Sequence, residues 1–102
     1  MNGVKVQYTV NEEYVETNKT NIRQVMADLK EINNPDIKYS AWLLDDGKTF
    51  VHLVHRANPE AQKTVSELPS FQEFQRQLKA SGLEVPPQAD DLSLVGSAWD
   101  IF

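Results

Sequence analysis

The patterning of these 102 residues predicts an α+β fold with elements in the order strand–helix–strand–strand–helix–strand. Three observations carry the expectation. Val4, Val6, Tyr8 and Val10 alternate with Lys5, Gln7 and Thr9, the period of a half-buried strand. Asp46-Gly47 sits between two β-prone runs, Lys38–Leu44 and Thr49–Ala57, and suits a hairpin turn that needs positive φ. Two apolar stripes recur at helical spacing, Ile22/Val25/Met26/Leu29/Ile32 and Phe71/Phe74/Leu78.

The first helix follows the first strand directly. Asn11 is placed as its N-cap, and Glu12 and Glu13 complement the positive end of the helix dipole. Tyr14 and Val15 can extend it upstream, but Thr17 to Asn21 is polar and poor in helix formers, so the start can instead slip to Thr20. Asn33-Asn34-Pro35 ends the helix, because proline restricts the residue before it and lacks a donor.

In the hairpin, a turn at Asp46-Gly47 sets Leu43 against Phe50, Trp42 against Val51, Ala41 against His52, Ser40 against Leu53 and Tyr39 against Val54. One face then carries Tyr39, Ala41, Leu43, Phe50, His52 and Val54. The other carries Ser40, Trp42, Leu44, Val51, Leu53 and His55. Both faces are largely apolar, so each needs a cover.

Asn58-Pro59-Glu60 reads as a cap with proline at the first helical position, opening a short helix to about Glu67. Ser70 and Glu73 fit a capping box for the second main helix, which Ser81-Gly82 closes. Glu84 to Ala89, with Pro86-Pro87, reads as a stiff linker, and alternation from Leu92 to Phe102 predicts the last strand.

This βαββαβ order is the ferredoxin-like arrangement: a four-stranded antiparallel sheet with two helices on one face, one domain over residues 1–102. The second sheet face still bears aromatic and aliphatic side chains. Covering it is favoured by about 25 cal/mol per Å² of apolar area, and the simplest cover is the same face of a second copy. A homodimer joined through its sheets is therefore expected.

Composition narrows the function classes. A net charge of −5 argues against a nucleic-acid surface, and no run of about 18 apolar residues argues against a membrane span. The absence of cysteine removes disulfides and thiolate chemistry. The first residues lack an apolar leader core, which points to the cytoplasm.

The wording of several stretches adds to this. Asp46-Gly47-Lys48-Thr49-Phe50-Val51-His52-Leu53, Leu68-Pro69-Ser70-Phe71-Gln72-Glu73-Phe74-Gln75, Pro86-Pro87 and Leu94-Val95-Gly96-Ser97 resemble the small dimeric α/β-barrel proteins related to antibiotic-biosynthesis monooxygenases, in their uncharacterised branch. The resemblance covers nearly the whole chain. It implies a barrel-like cavity in each subunit that takes a small hydrophobic or aromatic molecule, with cofactor-free oxygenation as one activity and no cofactor required. The catalytic set of the haem-degrading branch is not matched. A non-catalytic binding or stress-response protein of the same fold is the alternative.

His52 is the candidate catalytic residue, since an imidazole suits proton transfer near neutral pH; its structural alternative is a hydrogen-bonded core histidine. His52 and His55 are three apart on a strand and point to opposite faces, so no metal site is expected. Trp42, Trp99, Tyr39 and Phe74 are candidate pocket walls for a flat ligand, against the reading that they are plain core; Tyr8 and Phe71 share that choice. Gln7 and Thr9, polar on a central strand, either orient a ligand or serve the interface. The pairs Asp45/Asp46 and Asp90/Asp91 read as turn residues.

Overall fold

A computed structural model describes residues 1–102. Its elements are β1 (Asn2–Thr9), a 3-10 turn (Glu12–Tyr14), α1 (Val15–Ile32), β2 (Ile37–Leu43), β3 (Thr49–Arg56), α2 (Pro59–Glu67), α3 (Pro69–Ala80) and β4 (Val85–Leu92). The strands form one antiparallel sheet in the order β2-β3-β1-β4, a ferredoxin-like fold. No helix is long and apolar enough to cross a membrane.

The hairpin register is as the sequence predicts, from Tyr39↔Val54 through Leu43↔Phe50. Gly47 has φ +77, and the Asp46 carboxylate accepts from the Lys48 and Thr49 amides and the Thr49 hydroxyl. That carboxylate satisfies loop donors that the strands cannot.

Strand alternation decides what lies inside. Tyr8 on β1 and Phe50, His52 and Val54 on β3 are buried beneath the helices. With Val10 from beyond β1, Val15, Ile22 and Val25 from α1 and Phe74 and Leu78 from α3, Tyr8 and Phe50 make the core cluster. The opposite sheet face is uncovered. Across it run Trp42–Val51–Gln7–Gln88 and Ser40–Leu53–Lys5–Asp90, apolar over the hairpin and polar over β1 and β4.

Two local expectations change, the open start of α1 is fixed at Val15, and one expectation holds. Asn11 does not cap α1 with its side chain; its amide instead donates to the Ser81 and Gly82 carbonyls at the end of α3. The polar stretch Thr17–Asn21 is fully helical, because Val15, Asn18 and Ile22 are buried on the helix face that meets the sheet. Ser70 and Glu73 form no capping box. Pro69 takes the first helical position, so Ser70 already lies within α3, and Glu73 pairs with Arg76 at 2.5 Å. The α2 cap does form, with Asn58 Oδ1 accepting from the Ala61 amide at 2.8 Å.

The largest correction is at the C-terminal end. The last strand is Val85–Leu92, over the stretch expected to be a linker, and residues 93–102 form no regular element. β4 is an edge strand, where prolines without donors cost no ladder bond on the open side. The pairing slips between Gln7↔Gln88 and Thr9↔Val85, which places the irregularity over Pro86-Pro87. Leu94, Val95, Trp99 and Phe102 are consequently exposed.

Candidate functional site

The inner face of β3 carries an imidazole into an apolar layer. His52, 3% exposed, lies opposite Val6 on β1 and Ala41 on β2. Two residues along those neighbouring strands, on the same face, stand Tyr8 and Tyr39, within diagonal reach. The Tyr8 hydroxyl is 2.7 Å from His52 Nε2 and the Tyr39 hydroxyl 2.7 Å from Nδ1. Asn18, fully buried on α1, donates its amide to the Tyr8 hydroxyl at 2.9 Å.

The order of donors follows from these partners. A neutral imidazole has one donor and one acceptor nitrogen. Tyr8, already accepting from Asn18, uses its hydrogen only by donating to His52 Nε2. Nδ1–H then donates to Tyr39, whose own hydroxyl hydrogen is left without a protein partner. Burial holds the imidazole neutral by lowering its pKa to about 4 and pushes both tyrosine hydroxyls well above their ordinary value.

Beside this chain is a cavity of about 330 Å³ between the sheet and α2–α3. Tyr39, His52, Phe71 and Phe74 wall its aromatic end, with Val4, Val6 and Val54 along the sheet. The Phe74 ring lies 5.4 Å from the imidazole and 6.0 Å from Phe71, whose ring meets Tyr39 at 6.3 Å. Arg56, Gln62, Gln75 and Lys79 are among the polar residues of the lining. Such a site offers a flat slot for rings and one hydroxyl hydrogen for a ligand oxygen.

Of the residues expected at a site, His52, Tyr39 and Phe74 come together here. Trp42, Gln7 and Trp99 do not. Trp42 and Gln7 lie on the uncovered sheet face, Trp42 61% exposed, because they alternate with inward-facing neighbours. Trp99 lies past the last strand and is 74% exposed. His55 occupies that outer face too, beside Gly3, where a Cβ would meet its ring at 3.3 Å. Asn18 and Arg56 were not foreseen. Asn18 had a signal: it is a polar residue on the Val15–Asn18–Ile22–Val25 stripe of α1.

No family model matches the chain, and no curated protein matches it in sequence. Solved structures do resemble it. One is SnoaB, a cofactor-independent oxygenase from Streptomyces nogalater, at TM-score 0.71 and 11% identity over 97% of each chain. An antibiotic biosynthesis monooxygenase aligns at TM-score 0.74 and 12% identity, over 94% of this chain and 100% of its own. PA3566 from Pseudomonas aeruginosa aligns at TM-score 0.74 and 15% identity, over 93% of this chain and 94% of its own. The chain thus shares its ferredoxin-like fold with antibiotic biosynthesis monooxygenases.

Proposed function

We propose that this is a dimeric small-molecule protein of the cytoplasm whose cavity binds an aromatic or hydrophobic ligand and catalyses its cofactor-independent monooxygenation. The observation that carries the reading is the Asn18–Tyr8–His52–Tyr39 chain, which ends in a free hydroxyl hydrogen at an aromatic-walled cavity. Tyr39 would donate to a ligand carbonyl, with His52 holding that hydroxyl in place. Negative charge developing on the oxygen, as a methylene conjugated with the carbonyl through the ring gives up a proton to water, is then met by a preorganised donor. The electron-rich carbon reacts with dioxygen. A methylene becomes a carbonyl, one oxygen atom enters the product, and the other leaves as water with the two hydrogens. All four electrons come from the substrate, so no cofactor is needed. The oxygenase description of SnoaB, a protein of the same fold, supports this class of chemistry.

Anthrone is a suitable probe. Oxygen uptake above the spontaneous rate is expected with the unmodified protein, falling about 10²-fold or more in Tyr39→Phe and His52→Ala. Folding of each variant is checked by circular dichroism. Ligand binding without uptake would support the non-catalytic alternative. Unchanged uptake in both folded variants would sink the assignment of His52 and Tyr39.

The uncovered face, where Trp42, Val51 and Leu53 lie together and no helix packs, supports the dimer. A second copy presenting the same face would bury them. Light scattering is expected to give twice the chain mass at micromolar concentration. Trp42→Glu, which places a charge at that exposed position, is expected to give the monomer without unfolding it. A monomeric unmodified protein would refute the interface.

A further inference from the structure

The charge of the cavity lining is opposite to that of the chain. The protein carries a net charge of −5, yet no aspartate or glutamate lines the cavity, while Arg56 and Lys79 do. Neither cation takes part in an ion pair; the four that form join Lys19, Lys48, Lys63 and Arg76 to glutamates elsewhere. Asp91, which shares the inner sheet face opposite Val4, pairs with neither. Arg56 is placed for a ligand by strand parity. It follows Phe50, His52 and Val54 on the inward face of β3, and one terminal nitrogen donates to the Asn2 side chain. Its Nε is buried with no hydrogen-bond partner. A buried guanidinium donor left unmatched costs free energy that an anionic acceptor would recover.

Resting on the small-molecule reading above, we infer that the ligand is an aromatic acid. Its rings lie against Phe71 and Phe74, and its carboxylate is held by Arg56, with Lys79 adding positive charge elsewhere in the lining. Phe71 and Phe74 supply area, and Arg56 supplies orientation. A planar guanidinium recognises a carboxylate through paired N–H donors, which a neutral amide of the same shape cannot match. The ligand oxygen that reaches Tyr39 is thereby set by the Arg56 anchor.

The test compares 2-naphthoate with 2-naphthamide, its neutral isostere, by titration calorimetry on the full chain at pH 7.5. The naphthoate is expected to bind at least tenfold more tightly. That ratio is expected to fall to near one in Arg56→Met/Lys79→Met and to persist largely in Arg56→Lys, which keeps the charge. Raising sodium chloride with the unmodified protein is expected to lower the ratio, a readout that needs no variant to fold. Equal affinities, or a ratio that survives the double substitution, would overturn the acid assignment and leave the cavity reading standing. Binding of neither probe would overturn both.

Discussion

Between pH 6.5 and 4 the protein is expected to lose about 3 kcal/mol of folding stability through His52 alone, since burial lowers its pKa from 6.5 to about 4. The sign follows from proton counting. In this window the unfolded chain binds a proton on His52 and the native chain does not, so acid favours unfolding. The contribution is complete above the unfolded value, is lost as pH falls towards 4, and is level below it. Asp46 and Glu73 are also depressed, by hydrogen bonds from Thr49 and Arg76, so their protonation falls at still lower pH. The upper part of the window therefore belongs to His52. Urea midpoints measured from pH 7.5 to 4 are expected to fall steadily, and His52→Gln, which keeps a donor and an acceptor, is expected to flatten the curve. Parallel curves for the two proteins would show that the imidazole is not held neutral. Net stabilities of small domains are about 5–15 kcal/mol, so the loss is large enough to unfold a marginal variant.

Phe74→Ala is expected to cost about 3–5 kcal/mol, the range for removing a buried phenylalanine ring. Phe74 is 5% exposed and bridges the two parts of the molecule that matter for the site. On one side its ring meets Phe71 of the same helix, and on the other the imidazole of β3. Its removal enlarges a cavity of about 330 Å³ that already exists, so the surrounding side chains have no wall to close against. Phe74→Leu, which keeps much of the volume, is expected to cost less than half as much. Chemical denaturation with an unchanged m-value would establish the loss as one of stability. A cost below about 1 kcal/mol in Phe74→Ala would mean that α3 does not hold the site through this ring.

Much of this arrangement is legible in the chain, but not all of it. The hairpin is readable because side chains alternate strictly, so one turn at Asp46-Gly47 determines every pair from Tyr39↔Val54 to Leu43↔Phe50. Which hairpin face meets the helices is not readable from the hairpin, since Phe50/His52/Val54 and Val51/Leu53 are equally apolar. The answer lies on β1, where Val4, Val6 and Tyr8 face inward and Lys5, Gln7 and Thr9 outward, and reaches the hairpin only through the β1–β3 register. Trp42 and Gln7 were therefore open to being placed at the cavity. The last strand is hidden for a different reason: prolines depress strand propensity, and only an edge position beside β1 makes Pro86-Pro87 acceptable.

Local patterning by itself determined the class of fold, the two main helices, the hairpin with its register, and the separation of His52 from His55. These depend on periods of 2 and 3.6 residues, which neighbours in the chain suffice to express. Tertiary structure decided the rest. It placed β4 against β1, turned Trp42 outward, and joined Asn18, Tyr8, His52 and Tyr39 into one hydrogen-bonded chain. Tyr8 and His52 are 44 residues apart in the chain, and their 2.7 Å contact exists only because two strands pair and one helix covers them. A buried polar group requires a partner, but only the packed fold determines which one it finds.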